Sequence, residues 1–317
     1  MLDGKRILIT GGSGSFGRRF VQRALKDYQP KRLIIFSRDE YKMSQLQQEF
    51  AKYGDKVDYF IGDVRDAERC RRAFRGCDIV IHAAAMKQIP MCEAHPFEAI
   101  NTNILGGQNV CTAALDREVE KVVFLSTDKA VSPVNLYGTT KLAAEKVAIG
   151  ANIYSGGSTV FSVVRYGNVA GSRGSVIPYF RSLVGSGERT LPVTDQRMTR
   201  FWLSLDDAVN AVLLALEIGA PGCIYIPKMP SFKITDLVCA LGCIWTQVGV
   251  RPGEKLHESM LGEYEHLRTY DNEGYYAVAP QVIEGATNLV PEGFRYSTDT
   301  NDRFMDVEEI KKCLASF

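Results

Sequence analysis

The segment STDKAVSPVNLYGTTK, residues 126–141, sets a phenol and an amine four residues apart, Tyr137 and Lys141. On a helix this spacing puts both side chains on one face, one turn apart. An ammonium beside a phenol favours the phenolate, lowering a pKa that starts near about 10. Such a tyrosine removes an alcohol proton while hydride leaves for a nicotinamide, and Thr127 or Ser126 would hydrogen-bond the same hydroxyl. The first half of the segment adds what a plain alcohol dehydrogenase does not need, a carboxylate beside a second amine, Asp128 and Lys129. Once a sugar alcohol has become a ketone, the proton on the neighbouring carbon turns acidic and an amine can take it. A carboxylic acid then protonates the hydroxyl that leaves one carbon further on. Oxidation at C4, elimination across C5 and C6 and hydride return to C6 would give a 4-keto-6-deoxy sugar with no net use of cofactor. For Lys129 to act as the base its amine must be neutral, which requires a pKa well below the usual value of about 10.4. The plainer alternative for the pair is a surface salt bridge or a loop cap.

These residues follow KVVFLST, one of several short apolar runs in the first half of the chain. RILIT, RLIIFS, VDYFIGD, DIVIHAAA, KVVFLST and TVFSVVRYGN are rich in aliphatic and β-branched residues, and amphipathic stretches separate them. The alternation predicts an α/β fold, a Rossmann-type doubly wound parallel sheet, with each run a buried strand. Ligands of such a sheet sit outside the carboxyl ends of the strands. Residues 1–172 are expected to form the dinucleotide-binding core. From 173 to 317 the pattern breaks into Gly- and Pro-containing loops and an apolar helix from Asp206 to Ile218, and this part is expected to be mainly a smaller C-terminal substrate-binding lobe, partly interleaved with the first.

The cofactor is expected at ILITGGSGSFGRRF, where Gly11, Gly14 and Gly17, with Ser15 and Phe16 between them, join the first strand to the first helix. Gly11 permits a tight turn, Gly14 a close approach of the pyrophosphate, and Gly17 packing of helix on sheet. The spacing resembles that of the short-chain dehydrogenase/reductase group. The second strand ends in IIFSRDEYK, so Ser37, Arg38 and Lys42 would form a pocket for a 2′-phosphate and favour NADP. NAD is the alternative, with Asp39 reaching a ribose hydroxyl. Asp63 and Val64 in IGDVRD look like the adenine contacts of the extended short-chain enzymes, and Ala83, Ala84 and Ala85 let a cofactor lie against the backbone. His82, inside an apolar strand, is expected to be a core histidine.

Composition excludes other classes. The 38 Lys and Arg are matched by 37 Asp and Glu and are spread along the chain, which argues against nucleic acid and against an acidic membrane surface. No apolar run approaches the roughly 20 residues of a membrane span, and a charged start with no signal-peptide core points to a cytoplasmic protein. Eight cysteines without a Cys-x-x-Cys and four scattered histidines argue against disulfides and metal, leaving reduced, packed thiols. Cys239 and Cys243 are expected on a helical stripe facing the core.

STDKAVSPVNLYGTTK together with HAAAMKQIPMCEAHP, RYGNVAGSRGSVIPYF, RMTRFW and GVRPGEKLHE resembles the inverting UDP-N-acetylglucosamine 4,6-dehydratases, the first enzymes of pseudaminic acid synthesis, nearly end to end. The resemblance implies that Lys129 is the C5 base and that C5 is inverted, giving a 2-acetamido-2,6-dideoxy-β-L-arabino-hex-4-ulose on UDP. Retaining relatives typically carry Thr-Asp-Glu where this chain has Thr127, Asp128 and Lys129. It further implies that Lys87 reaches substrate near the cofactor, that Asn168 orients the diphosphate, and that Arg251 and Glu254 hold the diphosphate and the ribose or uracil. Arg200 would be a further phosphate clamp, and the chain would assemble as a homo-oligomer, such as the hexamer of relatives. A retaining dehydratase or a sugar 4-epimerase would share the cofactor site and the Tyr137–Lys141 pair, but an epimerase has no use for an acid and base of elimination. A non-catalytic cofactor-binding module typically lacks the tyrosine or the lysine. The stretch GEYEHLRTYDNEGYYAVAPQ would cover the site or support assembly, and GFRYSTDTNDRFMDVEEIKKCL reads as an extended segment and a capped helix.

Overall fold

The computed structural model describes residues 1–172 and 174–315; Arg173, within one of the motifs quoted above, and residues 316–317 lie outside the described residues. Six apolar runs form strands β1 (Arg6–Thr10), β2 (Arg32–Ser37), β3 (Val57–Ile61), β4 (Ile79–His82), β5 (Lys121–Thr127) and β6 (Val160–Tyr166). They pair in parallel in the order β3-β2-β1-β4-β5-β6. The order reverses between β1 and β4, and there the crevice of a doubly wound sheet opens. Helices cover both faces, so strand interiors have no polar side: Ile7, Leu8 and Ile9 are all fully buried.

The helices of this half are α1 (Ser15–Asp27), α2 (Glu40–Glu49), α3 (Ala67–Ala73), α4 (Ile89–Ala94), α5 (Pro96–Ile100), α6 (Gly106–Asp116) and α7 (Leu136–Ala151). On α1 the buried side chains Phe20, Val21, Ala24 and Leu25 recur at helical spacing. A single π turn, Asn101–Leu105, precedes α6 and carries the buried Asn103. That side chain accepts from the Met86 N–H at 2.8 Å and donates to the Met86 carbonyl at 2.9 Å, pinning the strap that carries Lys87.

The later chain adds β7 (Thr190–Val193), β8 (Thr199–Phe201), β9 (Ile224–Pro227), β10 (Ser231–Lys233), β11 (Ile244–Gln247), β12 (Thr269–Asn272) and β13 (Tyr275–Val278), with helices α8 (Val176–Gly185), α9 (Leu205–Ile218), α10 (Ile234–Ala240) and α11 (Val307–Leu314). β9 joins β6 in parallel, and β13 and β12 follow antiparallel, so the main sheet has nine strands among the described residues. α9 spans the apolar run expected to be helical; Ser204 and Asp207 cap it reciprocally and Gly219, at φ 59°, ends it. α11 is capped in the same way by Asp306 and Glu309. A second apolar core, separate from that of the main sheet, gathers Ile177, Phe180, Leu191, Trp202, Phe232, Leu237 and Ile310.

Among the described residues no disulfide joins any of the eight cysteines. Cys239 is a correction to the expected core stripe, because it is exposed. The helix that carries it ends at Ala240, so Cys243 reaches the core from the following turn and not from the same helical face. Among the described residues no helix is long and apolar enough to cross a membrane.

The site depends on how tightly α7 meets the end of β5. Between them Asp128–Ala130 makes one 3₁₀ turn, and Gly138 in the first turn of α7 lies against it. A Cβ on Gly138 would come within 2.1 Å of the Lys129 carbonyl oxygen. That is backbone, which cannot rotate aside. Gly138→Ala is therefore expected to cost about 1–3 kcal/mol by overpacking, read as a lower thermal midpoint, and to lower activity further by displacing Lys129. A fully stable, fully active variant would contradict this packing.

Candidate active site

The glycine turn has the shape that a dinucleotide requires. Gly11 sits at φ +65°, and a Cβ there would lie 2.8 Å from the Ala84 Cα. On Gly17 a Cβ would lie 2.4 Å from the Gly12 Cα. Gly14 caps α1 with no side chain over the helix end, leaving first-turn amides for an anion. The turn opens onto a crevice of about 810 Å³ whose walls include Gly11, Gly14, Ser15, Phe16, Gly17, Ser37, Arg38, Lys42, Asp63, Val64, Ala83, Lys87, Tyr137 and Lys141. Every side chain assigned to the cofactor from sequence thus faces one cavity. A dinucleotide fits this cradle because no Cβ blocks the approach at its turn.

At the outer end Ser37 Oγ and Ser13 Oγ are 2.6 Å apart. The Lys42 ammonium is paired with the Asp39 carboxylate, and Arg38 Nη1 lies 3.4 Å from Asp63 Oδ2. Asp39 also caps α2, accepting from the Lys42 backbone N–H at 3.0 Å.

At the inner end β5 and α7 meet. Lys141 Nζ donates to the Leu125 carbonyl at 2.6 Å. Ser126 Oγ donates to Glu145 at 2.5 Å, which leaves Thr127 as the hydroxyl that bonds Tyr137. Thr127 also donates to Asp128 Oδ1 at 2.8 Å, and Lys129 Nζ donates to the same oxygen at 3.0 Å. Lys129 and Thr127 line the crevice, whereas Asp128 is fully buried behind them and Oδ2 has no partner among the described residues. Asn135 caps α7 by accepting from Gly138 N–H at 2.8 Å and donates to the Gly253 carbonyl at 2.8 Å, tying the RPGEK loop to the catalytic helix.

Burial and charge set the proton affinities. Burial pushes the Tyr137 phenol up to about 12, against the charge of Lys129 and the Thr127 hydrogen bond, which lower it. Lys129 is therefore a second cation, besides the Lys141 expected from the sequence, whose charge favours the phenolate. Burial lowers Lys141 to about 8, opposed by the Glu145 carboxylate. Lys129 also differs from expectation. Burial lowers its pKa, but Asp128 and Glu258 outweigh that and carry it above the ordinary lysine value, so the resting amine is an ammonium. Lys87 is lowered by desolvation within the crevice and by the charge of Lys129.

A second cavity of about 410 Å³ continues from the first, sharing Lys129, Asn168, Arg251 and Glu254. Glu254 Oε2 is buried with no partner among the described residues. Asn168 Oδ1 accepts from Lys129 Nζ at 3.0 Å, so part of this side chain serves the amine. Arg200 is turned away from a clamp: Nη1 donates to the carbonyls of Thr199 at 2.7 Å and Leu256 at 3.0 Å, and Nη2 to that of Lys255 at 3.0 Å. Glu258, to which sequence reasoning gave no role, lies 3.6 Å from Lys129 Nζ and 3.9 Å from Arg200 Nε. Its only signal was its place in the quoted GVRPGEKLHE motif.

Proton and hydride transfer at an alcohol, beside a dinucleotide at the switch point of a parallel sheet, defines an enzyme of the extended short-chain dehydrogenase/reductase class. Residues 7–280 match the family described as polysaccharide biosynthesis protein. Over 98% of this chain and 97% of the relative, it is 47% identical to the UDP-N-acetylglucosamine 4,6-dehydratase (inverting) of Campylobacter jejuni subsp. jejuni serotype O:23/36. It is 41% identical to the UDP-glucose 4-epimerase of Rickettsia akari, over 99% of this chain and 96% of that one. The structure of Pen from Bacillus thuringiensis superposes with a TM-score of 0.90 at 35% identity, covering 100% of this chain and 98% of the other. The chain belongs to this polysaccharide biosynthesis family, among the cofactor-using nucleotide-sugar enzymes of dehydratase and epimerase type.

The expectation of NADP is corrected. Solved dehydratase and epimerase structures that share the fold hold NAD. The physical reason is on this chain: Arg38 and Lys42 each already carry a carboxylate. Two acids at this end of the crevice repel a phosphate and suit a ribose hydroxyl.

His82 is a core residue. It is 1% exposed, its Nδ1 lies 2.8 Å from Thr10 Oγ1, and its ring packs on Phe124. Burial, aided by the Lys141 charge, lowers its pKa from 6.5 to about 3. Above the unfolded value neither state holds the proton. Between 6.5 and about 3 the unfolded chain binds it and the native chain does not, so stability falls as pH falls. His82→Asn, which does not titrate, is expected to lose this dependence: denaturant unfolding should show its stability deficit against the parent shrinking from pH 7 to pH 4. An unchanged deficit would mean that His82 titrates normally.

Proposed function

We propose that this chain is an inverting UDP-N-acetylglucosamine 4,6-dehydratase working with NAD. The observation that carries the reading is the pair of buried Asp128 and crevice-lining Lys129, 3.0 Å apart, at the tip of the strand that presents Thr127 to Tyr137. Gly11, Gly14, Ser15, Phe16 and Gly17 would hold the pyrophosphate, Asp39 with Ser37 a ribose, and Asp63 with Val64 the adenine, all from positions on the crevice wall. Ala83, Lys87, Tyr137 and Lys141 would border the nicotinamide end. Bound there, the nicotinamide supplies an acceptor for the C4 hydride and a donor for its return.

The chain's own residues handle the protons. Thr127 would hold the C4 hydroxyl, and Tyr137 Oη, as the phenolate that the Lys129 charge and the positive nicotinamide favour, would take its proton. Lys129 then has to become a base. A proton moving from its Nζ to Asp128 Oδ1 along the existing 3.0 Å bond leaves a neutral amine and a protonated acid together. That shift needs no proton from solvent. Lys129 takes the C5 proton, Asp128 gives its own to the C6 hydroxyl, and water departs; the elimination restores the resting ion pair. Lys87 would reach the substrate near the cofactor, Arg251 and Asn168 would meet the UDP diphosphate, and the buried, unpartnered Glu254 Oε2 a ribose or uracil donor.

A second reading, UDP-sugar 4-epimerase, is favoured by the identity with the Rickettsia akari relative. One experiment separates the two. Purified protein with NAD and UDP-N-acetylglucosamine in deuterated water should give, by NMR, a 6-deoxy-4-keto product with solvent deuterium at C5 and inverted configuration. An intact C6 hydroxymethyl with inversion at C4 would make it an epimerase, and deuterium at C5 with retained configuration would make it a retaining dehydratase.

The acid and base are tested by substitution. Tyr137→Phe should block cofactor reduction. Asp128→Asn should still reduce cofactor in a single turnover yet slow water loss by about 100-fold or more. Lys129→Ala should bind the dinucleotide but lose both dehydration and C5 exchange, and Lys129→Arg should not restore them, because a guanidinium keeps its proton at working pH. An active Lys129→Arg enzyme would remove Lys129 from the role of base.

A further inference from the structure

Beneath the catalytic helix lies a group of buried charges that the reaction described above does not use. Glu145 follows Lys141 by one helical turn on the same face and is 2% exposed. Its Oε1 accepts from Ser126 Oγ at 2.5 Å and Arg165 Nε at 3.0 Å, and its Oε2 accepts from Arg165 Nη2 at 2.7 Å. Arg165, on β6, is 1% exposed. Its other donors run outward: Nη1 to the Met260 carbonyl at 2.7 Å and to Glu265 Oε2 at 2.7 Å, and Nη2 to Glu265 Oε1 at 3.2 Å. Glu265 also accepts from the Gly262 N–H at 2.8 Å, and the half-buried Arg268 stands 3.9 Å from it at the rim.

We propose that Glu145 is a positioning residue for the Tyr137–Lys141 pair, held by Arg165 and Glu265, and that the segment after residue 262 thereby helps keep the Lys141 amine cationic. The inference rests on the reading of that pair as the hydride-transfer pair. The charge balance supports it. Arg165 is shared between two carboxylates, and Glu265 has a second cation at the rim in Arg268, so the inner carboxylate, Glu145, is the one left to face the Lys141 ammonium. Glue alone would not require charge here, because apolar side chains of similar volume often replace a buried ion group without loss of stability. The other groups facing Lys141 leave Glu145 as its carboxylate. On β5 they are the Leu125 carbonyl and Ser126. On β4 it is His82, which burial keeps neutral, and on its own helix Tyr137, with Lys129 and Asp128 beyond that phenol.

The test is the pH profile of single-turnover cofactor reduction by UDP-sugar, which needs Lys141 protonated and should lose rate on the alkaline side as that amine, near 8, gives up its proton. Glu145→Gln removes the anion that favours the ammonium. Its alkaline limb should move to lower pH, with kcat down on the order of tenfold at the alkaline end and KM unchanged. Glu145→Asp, which keeps the charge, should recover most of that loss. Glu265→Gln leaves the inner pair in place but removes a charge that offsets Arg165, so its limb should move the same way by less. If Glu145→Gln does not fold by circular dichroism, the shift in Glu265→Gln decides. Limbs at the parent position in the folded variants, or a rate loss equal at all pH, would overturn the inference. Parent protein that fails to reduce cofactor with any UDP-sugar at any pH would instead remove the reading of the pair itself.

Discussion

Asp128 and Lys129 meet 3.0 Å apart with the carboxylate wholly out of water. A charge buried without a partner costs several kcal/mol, so each member of such a pair commits the structure around it. The ammonium also takes Asn168 Oδ1 and stands near Glu258, Glu258 stands near Arg200, and Arg200 spans the carbonyls of Lys255 and Leu256. Lys255 in turn donates to the Val131 carbonyl at 2.6 Å, just past the turn that holds the pair. The loop after β11 is thus drawn onto the end of β5 by a chain of charge and hydrogen-bond requirements. The second cavity, with Arg251 and Glu254 on its wall, exists because that loop is held there.

The same pair accounts for how two named activities share one scaffold. Under the proposed function the glycine cradle, Thr127, Tyr137 and Lys141 would serve any oxidation at a sugar hydroxyl, and dehydratase and epimerase relatives both align with this chain nearly end to end. Elimination adds the need for an acid and a base a carbon apart in their action. In the proposed elimination an ion pair already joined by a hydrogen bond would meet it with one internal proton shift, so the high proton affinity of Lys129 at rest is compatible with its acting as a base.

Much of this was legible in the chain. The apolar runs became the six parallel strands, the glycine triad lies at the first turn, and Tyr137, Lys141, Asp128 and Lys129 gather at the end of β5. These are local facts. Strand and helix periods, the φ that glycine permits and the one-turn spacing of Tyr137 and Lys141 follow from backbone geometry over a few residues.

What the tertiary structure decided was the partner of each charge. Arg38 and Lys42 read as a phosphate pocket in isolation, but Asp63, 25 residues from Arg38, comes beside that arginine, and the Lys42 side chain folds back on Asp39. Arg200 reads as a clamp, yet carbonyls 55 and 56 residues away take its donors. Ser126 bonds Glu145, and Glu265 reaches Arg165 across 100 residues of sequence. A side chain's type gives its charge, but its proton affinity and its role depend on burial and on which distant carboxylate or carbonyl the fold brings within about 3 Å.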